Sequence, residues 1–133
     1  MTIIPTAWAP TLLSVLRIVA ALSFITHGTQ KLFGAPATDP RPAVALFSQF
    51  GLAGVLEAFG GGLMLLGLFT QPVAFVLSGE MAVAYFQAHF PRSFWPLLSG
   101  GEPALLYCFL FLYFAAVGAG PWSLDAMLAR KRR

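Results

Sequence analysis

The sequence predicts an all-α protein, an integral-membrane bundle of four transmembrane helices in one domain of 133 residues. Three observations carry that reading. Hydrophobic residues make up 58% of the chain and charged residues 10%, against about 25% charged in an ordinary soluble domain. A soluble domain this small has a large surface for its volume, and so few charges could not cover it. The mean hydropathy of +0.77 is gathered into long apolar runs, separated by short stretches of Pro, Gly and charge. The composition excludes disordered, collagenous and disulfide-scaffold classes. The net charge is +3, but Arg130, Lys131, Arg132 and Arg133 hold half of the eight basic residues. That tail marks topology and does not form a nucleic-acid surface.

The first span is expected over residues 11–33, long enough at 1.5 Å per residue to cross about 30 Å of hydrocarbon. Residues 1–10 contain no Lys or Arg, so no cleaved leader is expected. Gly34 ends the span. The stretch 36–42, with Pro36, Pro40 and Pro42, reads as a loop because each Pro removes a backbone donor and disfavours helix before it. Residues 43–78 carry Glu57 as their one charge until Glu80 follows, and they are too long for a single span. Thr70-Gln71-Pro72 reads as the break. The second span is then 52–69, with 43–50 a short helix or re-entrant segment at the interface, and the third is 73–89. Phe90-Pro91-Arg92 stops the third. A loop with Trp95, Pro96 and Gly100-Gly101 precedes the fourth span at 103–119, whose Pro103 sits in the first turn, where a missing donor costs nothing. Trp122-Ser123-Leu124-Asp125 reads as an interfacial anchor and the cap of a short terminal helix.

Four spans put both termini on one side, and the basic tail makes that side the cytoplasm by the positive-inside rule. Counting rise along each span puts Arg17 and Glu80 about 9–10 Å from the inner face, and His27, Glu57 and His89 in the outer half. Charges in a bilayer cost several kcal/mol unless paired, so Arg17 and Glu80 are expected to form a structural ion pair. His27 and Lys31 lie four apart and share a helix face. With Glu57, His89 and Glu102 they form a candidate ligand-binding set in the outer half of the bundle. Glu80 and His89 are nine apart, about half a turn out of phase on an ideal helix, so His89 is the weaker member. Gly54-x-x-x-Ala58-x-x-x-Gly62 is a small-residue stripe that lets helix backbones approach closely. Cys108 is the single cysteine. It offers no disulfide, no thiol pair and no metal set, and reads as a small buried hydrophobe.

Taken in order, Arg17, Thr26-His27-Gly28-x-x-Lys31-Leu32-Phe33-Gly34, Glu57, Gly60-Gly61-Gly62, Gly67-Leu68-Phe69-Thr70, Glu80-Met81-Ala82, His89, Gly100-Gly101-Glu102 and Gly118-x-Gly120-Pro121-x-Ser123-Leu124-Asp125 resemble the DoxX family of small membrane proteins. The resemblance implies a four-helix inner-membrane protein. It also implies association with oxidoreductases, since the related DoxD type is linked to thiosulfate oxidation with electrons passed to quinone. The individual roles of the polar residues do not follow from it.

Three functions compete. One is a redox-associated subunit that binds quinone or a small molecule in the outer polar pocket; no nucleotide or flavin motif is present, so electrons would come from a partner protein. A second is a non-enzymatic carrier of a small molecule or lipid, which would use the same pocket. A third is a structural subunit of a membrane complex or homo-oligomer. Haem ligation by His27 and His89 matches in depth, but the phase of His89 and the lack of a supporting motif count against it. No metal site is expected, catalytic residues are not assigned, and the expected surroundings are membrane lipid.

Overall fold

The computed structural model describes residues 3–37 and 44–132, and among them every regular element is helical. A short 3-10 turn, Thr6–Trp8, leads into α1, Ala9–Phe33. The next rod runs Gln49–Leu66 and is built from α2 (Gln49–Val55), a π-helical turn (Leu56–Gly60) and α3 (Gly61–Leu66). α4, Thr70–Ala84, continues into a second π turn, Tyr85–His89. Then come α5 (Pro96–Ser99), α6 (Glu102–Val117) and α7 (Leu124–Lys131). By length and composition, Thr6–Phe33 and Gln49–Leu66 can each cross a membrane, and α6 is a shorter apolar helix.

Each start and stop has a local cause. Gly34, at φ 69°, ends α1 in the left-handed region, with its N–H on the Gln30 carbonyl at 2.9 Å. Ser48 caps α2 by accepting from the Gly51 N–H at 3.0 Å. Gly67, at φ 65°, ends α3 with paired bonds from Gly67 N to Met64 O at 3.1 Å and from Leu68 N to Leu63 O at 3.0 Å. That pairing is the Schellman arrangement, which glycine enters without a Cβ penalty.

The chain therefore breaks at residues 67–69 and not at Thr70-Gln71-Pro72. Pro72 lies inside the first turn of α4, where its absent N–H would have had no helical partner. The second rod accordingly starts and ends three residues earlier than the expected 52–69, and the third starts three earlier than 73. Of the short helix or re-entrant segment expected over 43–50, residues 44–48 are non-helical and Ser48 is the cap of α2. Residues 38–43, most of the Pro-rich loop, and Arg133 lie outside the described residues.

α1 buries Ser14, Arg17, Ala21, Phe24 and Gly28, a stripe of three- and four-residue steps, and packs it on the second rod. Contact is closest at Gly28, where a Cβ would stand 2.4 Å from Ala58 N and 2.8 Å from Gly54 O. The small-residue stripe does what its spacing implies. α4 packs most extensively on α6, and Ser78 Oγ donates to the Cys108 carbonyl at 2.8 Å. Phe24, Met64, Leu77, Met81, Phe111 and Phe114 form the core between the two pairs. Phe24 meets Phe111 edge-on, with centroids 4.7 Å apart.

At the α7 end the chain is tied by polar groups. Arg17 is fully buried. Its guanidinium donates to the carbonyls of Ala119 (2.9 Å), Leu65 (2.6 Å), Trp122 (2.5 Å) and Met64. Met64 and Leu65 belong to the last turn of α3, where no following turn supplies N–H groups, and the Met64 carbonyl also accepts from Gly67 N. Asp125 accepts from Phe69 N at 2.8 Å and Thr70 N at 2.9 Å, so a residue of α7 caps α4. Ser123 caps α7 itself, accepting from Ala126 N at 3.2 Å.

Candidate functional site

The expected ion pair between Arg17 and Glu80 is corrected by this geometry. Carbonyls freed at a helix end and in the closing loop supply every acceptor that Arg17 uses. Glu80 stands instead in a cavity between the second rod and α4, beside Glu57 and Lys31. Depth counting went astray through its starting points. Measured from Gln49, Glu57 lies about 12 Å along its rod; measured from Thr70, Glu80 lies about 15 Å along the opposite way. In a rod of about 27 Å those are the same level.

The cavity is open on one side and has a volume of about 1010 Å³. Apolar side chains, among them Leu52, Leu56, Val76 and Val83, make most of its wall, and Lys31, Glu57, Glu80, Gln87 and Arg92 are its polar members. α1 supplies Lys31, whose Nζ lies 2.5 Å from Glu57 Oε1. Among the described residues this is the one ion pair. Lys31 is 28% exposed at its side chain and Glu57 2%, so the carboxylate is buried and the ammonium that reaches it is partly exposed. Glu57 lies in the π turn Leu56–Gly60, a local widening that often marks functional positions in helices. Among the described residues, the other Glu57 oxygen, Oε2, and both oxygens of Glu80 are buried without a hydrogen-bond partner. Next to Glu80, Gly79 leaves open space: a Cβ there would meet nothing within 4 Å. Toward the Gln49 end, Gln49 donates its amide N–H to Gln87 Oε1 and links the two rods.

The other residues of the sequence-predicted set lie elsewhere. His27 is exposed and turns to α6, with its ring edge-on to Tyr107 at 6.0 Å. Four residues on, Lys31 turns to Glu57, so the shared face splits between two neighbours. His89 Nδ1 donates to the Ser99 carbonyl at 3.1 Å, and a Cβ on Gly101 would fall 2.8 Å from the His89 Cβ. This imidazole tethers the α5 loop. Glu102 is exposed at the start of α6 and borders a smaller groove shared with Leu16, Val19 and Tyr107. Lys31 and Glu57 thus come together, Glu80 joins them, and His27, His89 and Glu102 do not. Gln87 and Gly79 were missed; the signal for Gln87 lay in its place seven residues, two helical turns, beyond Glu80, and Gly79 is next to Glu80 in sequence.

The sequence profile of the DoxX family matches residues 12–90. An uncharacterized protein of Haemophilus influenzae is 45% identical over 128 residues, covering 93% of this chain and 96% of its own. An uncharacterized membrane protein of Mycobacterium tuberculosis is 26% identical over 133 residues, covering 87% and 80%. No solved structure matches significantly. The matched range spans Arg17, Lys31, Glu57 and Glu80, and with a relative this similar along nearly its whole length, the chain belongs to the DoxX family.

Proposed function

We propose that this DoxX protein crosses the plasma membrane four times with both ends in the cytoplasm, and that it holds quinone in the cavity between the second rod and α4. Redox exchange would proceed with electrons from a partner protein. The observation that carries the site is Glu57: a carboxylate 2% exposed, paired on one oxygen with Lys31 and unpartnered on the other. Unsatisfied buried polar atoms in a native fold call for an explanation, and a polar-headed ligand provides one. Charged groups at mid-depth in a spanning bundle mark ligand or ion paths by default. The volume is at the upper end of the range for small-molecule sites, which are mostly apolar with a few polar groups. Such walls suit an isoprenoid tail, while Lys31, Glu57, Glu80 and Gln87 are the polar groups for the head. Phe59, Phe75, Leu97, Leu106 and other large apolar side chains stand exposed, and lipid is the solvent that tolerates them. The membrane name of the mycobacterial relative agrees.

The test uses protein purified from native membranes in mild detergent, wild type and Glu57→Gln, with bound small molecules extracted and identified by mass spectrometry. The expected result is quinone in the wild type and less than a tenth as much in the variant, with melting temperatures within a few degrees. Loss of stability with retention following it would make the Lys31–Glu57 pair a helix lock. A wild-type extract free of quinone, or holding another small molecule, would remove the quinone reading.

A further inference from the structure

Three carboxyl oxygens of residues in the cavity wall, Glu57 Oε2 and both oxygens of Glu80, are buried and have no partner among the described residues. One Lys31 N–H is held by Glu57 Oε1 and one Gln49 N–H by Gln87 Oε1, and among the described residues no other N–H of Lys31, Gln87 or Arg92 reaches the three oxygens. An ionised carboxylate only accepts, and a protonated one brings a single O–H. Whether both acids are ionised or Glu80 is protonated, free acceptors outnumber the O–H groups beside them. A ligand that completes this set must donate.

An oxidised quinone offers two carbonyl oxygens, which accept and cannot donate. Its reduced form offers two phenolic O–H groups. Resting on the quinone reading above, we propose that the cavity selects the quinol over the quinone, with one hydroxyl donating to Glu57 Oε2 and the other to Glu80. The open space beside Gly79 leaves room for a ring at that level, and Leu52, Leu56, Val76 and Val83 flank the tail. Lys31 remains on Glu57 and fixes which of its oxygens is free. Sites built to hydrogen-bond a hydroxyl discriminate strongly against analogues that lack it, because the site's own polar groups are then left unpaired.

Calorimetric titration of the full-length protein in detergent micelles, under anaerobic conditions, compares a short-tailed benzoquinone with its hydroquinone. The quinol should bind at least about tenfold more tightly. Glu80→Gln replaces an acceptor oxygen with an N–H donor at nearly constant shape, so the preference should fall toward parity or reverse. The wild-type comparison stands alone if that variant fails to fold. Equal affinities, or tighter binding of the quinone, would overturn the selectivity while leaving the quinone site intact. Binding of neither form would overturn the quinone reading and the selectivity with it.

Discussion

Arg17 is a charged side chain held among apolar helices, and among the described residues no carboxylate stands at hydrogen-bond distance from it. Its acceptors are four main-chain carbonyls from α3 and the closing loop, and the guanidinium fork suits such diverging acceptors where an ammonium does not. Arg17→Ala should cost on the order of 3 kcal/mol, since it leaves several buried carbonyls without a donor. Arg17→Lys should recover less than half of that, read as melting in detergent. A lysine variant as stable as wild type would mean that the carbonyls do not need the fork. Lys31→Met should be harmful in another way, by leaving the Glu57 carboxylate buried and unpaired. Lys31→Met with Glu57→Leu should then be more stable than Lys31→Met alone, and a double variant less stable than either single one would speak against the pair. The sequence pointed to Arg17, Lys31, Glu57 and Glu80 as residues that need partners in an apolar chain. It could not choose the partners, because the acceptors of Arg17 are backbone atoms that carry no side-chain signature. An error of three residues at each rod start was enough to place Glu80 with the wrong neighbour.

Helix ends were legible wherever the stop signal was local. Gly34 after α1 and Ser123 before α7 were read directly, and the all-helical character follows from long apolar runs with Pro and Gly between them. The 67–69 turn was misplaced because Pro72 draws attention, yet it is tolerated in a first helical turn, and because Asp125, 55 residues away, caps α4. The two π turns had no sequence signal, since one residue's change of pitch leaves hydropathy unaltered. Glycines separate by what surrounds them. Gly67 sits at φ 65°, and a Cβ there would meet Ser123 Cβ at 2.4 Å and Arg17 Cζ at 3.0 Å. Gly67→Ala should destabilise by roughly 2 kcal/mol or more through backbone strain and displacement of the Arg17 knot. Gly62 lies in α3 with nothing within 4 Å of a built Cβ, so Gly62→Ala should stabilise by about 0.5–1 kcal/mol. Equal effects of the two substitutions, in the same thermal assay, would remove the role assigned to the turn.

At the scale of the whole molecule, α7 and the closing loop gather one end of the bundle around Arg17 and Asp125, and the cavity lies between rods farther along. In the proposed topology, with Cys108 replaced, a cysteine at Ala37 should react with an impermeant reagent added to intact cells, and one at Arg132 should react after the membrane is opened. The reverse pattern would invert the molecule and place the Arg17 knot outside. The central claim is that the ligand occupies the space between the second rod and α4. Photo-crosslinking with an azido-quinone in membranes, followed by peptide mapping, tests it most directly. Label is expected on residues 50–57 and 76–88 and should be displaced by excess unlabelled quinol. Label confined to residues 16–23 and 103–110, in the groove between α1 and α6, would contradict the account.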